Sequence, residues 1–149
     1  MADETAVRAV RAGDREAWEP LWQGYLTFYE ASLASDVTNA TWRRFLDPLE
    51  PLGAFVAERS GQLIGFAHYL LHRSTWAQVG YCYLEDLFVE PSARGSGAGR
   101  ELIAAVEAVA RDAGASRLYW MTHETNQTAQ QLYNQVAERP GFVQYRKKL

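Results

Sequence analysis

A strand, a glycine-rich turn and the start of a helix follow one another in Glu85-Asp86-Leu87-Phe88-Val89-Glu90-Pro91-Ser92-Ala93-Arg94-Gly95-Ser96-Gly97-Ala98-Gly99. The strand begins at Tyr81 and is apolar on both faces except at two adjacent carboxylates, which is typical of a central strand. After the turn, apolar residues recur at helical spacing up to Gly114. The next apolar run, from Arg117 to Met121, is predicted to be a strand parallel to the first, because a helix connects the two.

The alternating glycines of this turn, bracketed by Arg94 and Arg100, are compatible with several phosphate-binding loops. A Walker A loop ends in Gly-Lys followed by Ser or Thr, and this turn contains no lysine. The dinucleotide-binding fingerprint needs a further glycine after its Gly-x-Gly pair, and Arg100 or Leu102 stands at that place. Two interpretations are left: a tight turn that needs glycine only for its positive φ, or an anion nest whose N–H groups bind a diphosphate.

The rest of the chain indicates an α/β protein with a mixed sheet. The other predicted elements are an edge strand at 7–11, an aromatic amphipathic helix after Gly13-Asp14, a short helix from Thr38 or Asn39 to before Pro48, a hairpin of strands 54–58 and 63–70, a helix from Thr125 or Asn126 through Val136, and a last strand at 142–145 that closes the sheet. The sheet is therefore expected to be mostly antiparallel with one parallel strand pair.

Length and composition indicate the number of domains and the general class of protein. A chain of 149 residues with 48% hydrophobic and 22% charged residues is typical of a single soluble globular domain, here 1–149. No apolar stretch reaches the roughly 18 residues of a membrane span, and the acidic N-terminus is unlike a secretory signal. We therefore expect a cytoplasmic protein that does not bind membranes.

Charge and cysteine content exclude further classes of function. The net charge is −3 and lysine occurs only at positions 147 and 148, which argues against binding of nucleic acid. The mild acidic excess favours a cationic partner, although weakly. The one cysteine, Cys82, lies in an apolar run and is expected to be buried rather than nucleophilic.

The stretch from Glu85 to Gly99 resembles the acetyl-CoA motif of the GNAT superfamily of N-acetyltransferases, whose hallmark is Arg/Gln-x-x-Gly-x-Gly/Ala. The order of elements also resembles that fold, and the resemblance covers nearly the whole chain. Tyr83-Leu84-Glu85-Asp86 is most similar to the diamine, polyamine and thialysine acetyltransferases and to fungal histone or polyamine acetyltransferases. The resemblance implies a GNAT fold with acetyl-CoA bound in a notch between two diverging parallel strands and helices on both faces of the sheet.

The resemblance also implies roles for individual residues. The residues expected to bind the cofactor are Leu87, Phe88, Val89, Arg94, Gly95, Ser96, Gly97, Ala98, Gly99, Arg100, Asn126 and Tyr133. Glu85 is the expected general base, and a structural carboxylate held by a neighbouring Arg is the alternative. Tyr133 is expected to donate to the nascent thiolate, because a phenol stays protonated at neutral pH. Asn126 is also suited to cap a helix.

The acceptor is the least visible part of the site. Trp22, Tyr25 and Trp42 are expected to line a cation–π pocket, with Glu85 and Asp86 beside it, although an aromatic stripe on a helix is more often core. No pattern of His, Cys and carboxylates completes a metal site, so no metal is expected. The predicted reaction is acetyl transfer to a primary amine of a small molecule, and the sequence is compatible with a homodimer. One alternative is a protein acceptor, either a histone-like lysine or an N-terminal amine. The other is a non-catalytic acyl-CoA sensor.

Overall fold

The computed structural model describes residues 4–149. Five strands form one sheet in these residues: β1 (Ala6–Ala9), β2 (Leu52–Arg59), β3 (Gln62–His72), β4 (Tyr81–Val89) and β5 (Leu118–Tyr119). Their spatial order is the order of the chain, and every neighbouring pair is antiparallel except β4 and β5. The predicted mixed, mostly antiparallel sheet with one parallel pair is thus confirmed.

Four α-helices accompany the sheet in the described residues: α1 (Arg15–Phe28), α2 (Ser35–Phe45), α3 (Ala98–Asp112) and α4 (Gln127–Val136). The second helix begins at Ser35, which is three residues before Thr38 and four before Asn39, its two predicted starts. The preceding Ala34 has an extended backbone and is the N-cap. None of these helices is long and apolar enough to cross a bilayer.

The two faces of the sheet are covered by different helices. On one face, α1 and α2 pack Trp18, Trp22 and Trp42 against Val56 and Phe66 of the central strands. On the other face, the apolar stripe of α3 packs on alternating residues of the strands, with Leu132, Tyr133 and Val136 of α4 at its margin. Both faces of the middle strands are therefore buried, which explains their nearly continuous apolar sequence.

The hairpin between β2 and β3 turns at Ser60 and Gly61, whose φ angles of 51° and 75° are both positive. Two central residues with positive φ are typical of the tight type I′ turn, which matches the twist of the flanking strands. The strands extend beyond their predicted bounds at both ends because the ladder continues from Arg59↔Gln62 to Leu52↔Leu70.

The prediction of a last strand at 142–145 is wrong. These residues adopt no regular structure, and the side chains of Phe142, Val143 and Tyr145 are 86%, 78% and 94% exposed. The parallel strand before them is also shorter than predicted, with Leu118 and Tyr119 as its only residues. So short an edge offers too few backbone groups to hold a further strand.

Candidate active site

The glycine turn takes the conformation that an anion nest requires. Gly95 and Gly97 have φ angles of 82° and 87°, in the left-handed region that side chains disfavour. A Cβ at either position would meet no atom within 4 Å, so these glycines are needed for backbone conformation rather than for internal space. Gly97 is the N-cap of α3, a helix of 15 residues whose positive end faces the turn.

Ser96 lies between these glycines, and its hydroxyl oxygen is buried without a hydrogen-bond partner among residues 4–149. A buried hydroxyl is normally satisfied, and an unsatisfied one calls for a ligand or water. The open space in front of Gly95 and Gly97, the helix N-terminus and this hydroxyl together fit a diphosphate such as that of coenzyme A.

The two arginines that bracket the turn are both exposed and are held in different ways. The Arg94 Nε donates to the carbonyl oxygen of Val89 at 3.0 Å, and its guanidinium lies 5.9 Å from the centre of the Phe88 ring. Arg100 donates to the side-chain oxygen of Gln135 on α4. Both cations therefore lie beside the turn and add positive charge there.

Strand β4 has an open edge where it approaches the turn. The parallel neighbour pairs only with Cys82 and Tyr83, so among residues 4–149 the rest of β4 has no partner strand on that side. The Glu90 N–H donates to the Ile64 carbonyl on β3 at 2.8 Å, and backbone groups alternate in direction along a strand. Leu87 therefore presents its N–H and C=O to the open edge.

The same alternation separates the three strand residues that were expected to bind the cofactor. Val89 faces the open edge like Leu87, although the Val89 carbonyl already accepts from Arg94. The Phe88 carbonyl faces β3, since a Cβ on Gly65 would lie 2.6 Å from it, and the Phe88 ring is buried between α1 and the sheet. The placement of Phe88 thus does not support the expectation that it pairs with the cofactor arm, because its backbone N–H and C=O point toward β3 and away from the open edge.

A β-bulge places the two carboxylates at the start of this open edge. Asp86 stands opposite His68 and Leu84 opposite Tyr69, so that Glu85 has no partner on β3. An extra residue of this kind reverses which side chains face each side of the strand. Uninterrupted alternation would place the Glu85 side chain on the same face of the strand as that of Leu87, and the bulge interrupts this alternation at Glu85 itself.

The Glu85 side chain is exposed but partly desolvated. That desolvation, followed by the nearby charge of Asp86, raises its pKa above the ordinary 4.5. No Arg or Lys of residues 4–149 forms an ion pair with Glu85, so the alternative of a carboxylate held by an arginine finds no support. A raised pKa makes a carboxylate a stronger base.

Three tyrosines lie near one or both carboxylates: Tyr83 is near Glu85 and Asp86, whereas Tyr25 and Tyr29 are near Asp86. Burial, followed by the charges of Glu85 and Asp86, raises the pKa of Tyr83 to about 12. Burial and then the charge of Asp86 also raise the pKa of Tyr25 on α1 and of Tyr29 at the C-terminal cap of that helix. The carboxylates thus lie among neutral phenols, an environment that favours a bound cation.

Tyr133 and Asn126 approach the site from α4. The Tyr133 ring packs edge-on against Trp120 with 5.5 Å between centroids, and burial, followed by the proximity of Tyr29, raises its pKa to about 12. Asn126 is the N-cap of α4, where its side-chain oxygen accepts from the Ala129 N–H at 3.3 Å. The capping role expected for Asn126 is therefore present.

Two of the three aromatic residues expected to form an acceptor pocket belong to the core. Trp22 and Trp42 are 5% and 6% exposed, and the Trp22 indole N–H donates to the Thr38 hydroxyl at 3.2 Å. Their placement does not support contact with an acceptor. Tyr25 is only partly buried and lies beside Asp86, so it remains a candidate.

Sequence reasoning missed the contribution of His68. In the sequence, histidines were considered only as possible metal ligands, and His68 was not singled out. In the structure His68 Nδ1 lies 2.9 Å from Asp86 Oδ2, across the ladder between β3 and β4. No group of three or more potential ligands for a metal occurs in residues 4–149. The alternation of histidines alone could not reveal this pairing, because the bulge sets its register.

Cys82, as expected, is buried, which raises the pKa of its thiol to about 11.

Comparison with known families and proteins agrees with this arrangement. A family model described as Acetyltransferase (GNAT) family matches residues 15–137. The D-amino-acid N-acetyltransferase HPA3 of Saccharomyces cerevisiae is 37% identical over 147 residues, which cover 97% of this chain and 91% of the yeast protein. The thialysine N-epsilon-acetyltransferase of Bos taurus is 37% identical over 86 residues, or 58% of this chain and 46% of that protein.

Solved structures show the same fold at lower identity. The aminoglycoside N-acetyltransferase AAC(6')-Iy in complex with CoA superposes with a TM-score of 0.85 at 23% identity, covering 99% of this chain and 97% of that one. At this identity the likeness concerns the fold, and it extends from one end of the sheet to the other.

Proposed function

The chain belongs to the Acetyltransferase (GNAT) family, and from this premise we propose that it transfers the acetyl group of acetyl-CoA to a primary amine of a small molecule. It is an acetyltransferase with acetyl-CoA as its co-substrate. The acceptor class that we propose is an amino-acid-like, diamine or polyamine compound.

One observation carries the proposal: the unpaired edge of β4 runs from the bulge at Glu85 directly into the glycine turn. An extended ligand arm along that edge brings its far end to Glu85 and its diphosphate to the turn. The two ends of the site, the proton acceptor and the anion nest, are thus joined by one strand of the sheet.

The residues proposed to hold the co-substrate divide into two groups. To the diphosphate we assign the backbone N–H groups from Gly95 to Ala98, the Ser96 hydroxyl and the bracketing arginines; the positive φ of Gly95 and Gly97 and the unpaired hydroxyl support this. Leu87 offers its backbone N–H and C=O to the arm along the open edge. The co-substrate supplies an activated acyl group, because a thioester has a good leaving group in its sulfur.

Glu85 and Tyr133 are the residues that we assign to the transfer itself. The acceptor's ammonium group first gives one proton to Glu85, which passes it to solvent. The neutral amine nitrogen then bonds to the acetyl carbon as the carbon–sulfur bond breaks, and the nitrogen loses its second proton by the same route. The Tyr133 phenol, with its pKa near 12, is a weaker acid than a thiol, whose ordinary pKa is about 8.5. We therefore assign Tyr133 a hydrogen bond to the leaving thiolate, which then takes its proton from solvent.

The acceptor is proposed to be small and cationic for two reasons. Asp86 lies near Tyr25, Tyr29 and Tyr83, and Glu85 lies near Tyr83; these negative charges and phenol rings are suited to an ammonium group. The yeast and bovine relatives are named for amino-acid acceptors, a D-amino acid and thialysine. The alternative of a lysine side chain or N-terminus of a protein shares the amine but lacks this second support.

The proposal is tested by measuring thiol release from acetyl-CoA with diamines, polyamines, D- and L-amino acids and lysine-containing peptides. We expect kcat/KM to be highest for a free small amine, with Glu85→Gln as the matched control that keeps the shape of the site but removes its base. A peptide with the highest kcat/KM would favour the protein acceptor instead. Binding of CoA without turnover of any amine would favour an acyl-CoA sensor.

Three broader statements complete the proposal: residues 1–149 form one acetyltransferase domain, the protein acts in the cytoplasm, and it is a homodimer. The support for the dimer is the exposed apolar side chains of Phe142, Val143 and Tyr145, which have no cover within the described residues. Light scattering of the wild type and of Phe142→Ser tests it: a dimer that the substitution converts to a monomer is the expected result.

A further inference from the structure

His68 forms the centre of a buried hydrogen-bond chain that ends at the site. The Trp18 indole N–H donates to His68 Nε2 at 3.1 Å, and His68 Nδ1 lies 2.9 Å from Asp86 Oδ2. Trp18 is fully buried and His68 is 2% exposed, whereas the Asp86 side chain is 15% exposed. The chain thus connects a tryptophan of α1 to a carboxylate that reaches the acceptor side of the site.

The partners of His68 fix its tautomer. An indole N–H is only a donor, so Nε2 must accept and cannot carry a proton. The one proton of the neutral imidazole is then on Nδ1, where it is donated to the Asp86 carboxylate. Adding a second proton would place an N–H of His68 against the N–H of Trp18, and both side chains are buried.

The clash between the two N–H groups excludes His68 as a general base and leaves it the role of a hydrogen-bond donor. Burial lowers the pKa of His68, against the opposing hydrogen bond and charge of Asp86. His68 therefore stays neutral and cannot take a proton from the acceptor amine. It acts only as a fixed donor to Asp86.

Aromatic side chains hold the imidazole in this orientation. The Phe66 ring stacks on it with 4.3 Å between centroids and 12° between planes, and the Phe45 and Trp22 rings lie 4.5 Å and 5.3 Å away. The tryptophans of α1 thus influence the site through His68 rather than by direct contact with a ligand.

We propose that His68 is a positioning residue, locked by Trp18 as the Nδ1–H tautomer, which orients the Asp86 carboxylate to bind the cationic group of the acceptor. The proposal rests on the proposed function for the identity of the acceptor, but the tautomer does not depend on it. Loss of the donor leaves Asp86 free to turn, which weakens acceptor binding and leaves the co-substrate site unchanged.

The tautomer is tested first, on the wild-type protein without ligands. In two-bond 1H–15N correlation spectra of 15N-histidine-labelled protein, His68 is expected as the Nδ1–H tautomer with no titration between about pH 5 and 8. His123 is the internal control, because its Nδ1 accepts from the Thr125 N–H at 3.3 Å, which places the proton of its neutral imidazole on Nε2. An Nε2–H tautomer for His68, or its titration in this range, overturns the proposal.

The functional consequence is tested with His68→Asn and His68→Leu. An Asn amide keeps an N–H donor near the place of Nδ1, whereas Leu removes it. We expect His68→Leu to raise the KM of a cationic acceptor about tenfold, with kcat and the KM of acetyl-CoA within about threefold of wild type. His68→Asn is expected to stay within about threefold in all three constants.

The outcomes distinguish a positioning role from a merely structural one. Equal effects of both variants on all constants, or an unchanged acceptor KM in His68→Leu, overturn the positioning role. If His68→Leu does not fold, His68→Asn decides: a tenfold rise in its acceptor KM, with its fold intact, also overturns the positioning role, because the retained donor is expected to preserve acceptor binding. Absence of turnover in the wild type would contradict the proposed function, while the spectra would still decide the tautomer.

Discussion

The glycine turn allows a prediction in which backbone strain is separated from steric fit. Gly97 has a φ of 87°, and a Cβ there would meet no atom within 4 Å, so Gly97→Ala changes only the cost of the left-handed conformation. That cost is about 1–2 kcal/mol for a residue with a Cβ. Because the turn is exposed and lacks a hydrogen-bonded ladder, we expect it to relax in the free protein and to pay this cost when the diphosphate binds. The dissociation constant of CoA should then rise about 5- to 30-fold.

Gly61→Ala is the matched control for this prediction. Gly61 has a φ of 75° and equally open surroundings, but it lies in the β2–β3 hairpin, where the ladder on both sides prevents relaxation. A loss of about 1 kcal/mol of stability, or about 2–4 °C in Tm, is expected there, with unchanged binding of CoA. Calorimetric titration and thermal unfolding measure both variants. If Gly97→Ala binds CoA within twofold of wild type, the turn does not act as the proposed anion nest.

Three further predictions concern the sheet and the two groups assigned to the transfer. Tyr133→Phe should lower kcat about 10- to 100-fold with the dissociation constant of CoA unchanged, since it removes one hydrogen bond to a charged sulfur; an unchanged kcat would remove Tyr133 from this role. Because the pKa of Glu85 is raised above 4.5, the base is lost as pH falls through that higher value, so the pH profile of kcat/KM should have an acidic limb there. Glu85→Gln should abolish the limb, and a limb that stays in place would make Glu85 structural. Gly65→Ala places a Cβ 2.6 Å from the Phe88 carbonyl and should lower stability by about 1–3 kcal/mol in denaturant titration, whereas a midpoint equal to wild type would contradict the close contact of β3 and β4.

Much of the framework was predictable because its signals are local. Strand β4 begins and ends at the predicted residues, and Gly95 and Gly97 of the turn that follows have the positive φ that the sequence indicated, whereas Gly99 already belongs to α3. The N-cap at Asn126 was also predictable, since a capping side chain bonds to a backbone group only three residues away. Such features depend on conformational preferences within one or two turns of the chain.

The placement of the carboxylates was only partly predictable. The sequence shows Glu85 and Asp86 as neighbours in an apolar strand, but a period of two cannot reveal an extra residue that is accommodated by the partner strand. The prediction of a last strand at 142–145 was wrong for a related reason. The apolar pattern at 142–145 is compatible with a strand, yet pairing requires an edge of sufficient length, and the edge available ends at Tyr119.

The sequence by itself determined the fold class, the parallel strand pair and the glycine turn, because these follow from local periodicity and from residues that alone tolerate a given φ. Only the tertiary structure decided that Trp22 and Trp42 lie in the core and that His68 meets Asp86 across the sheet. Those relationships depend on register and on which helix covers which face of the sheet. They join residues far apart in the chain, and no local pattern encodes the distance between them.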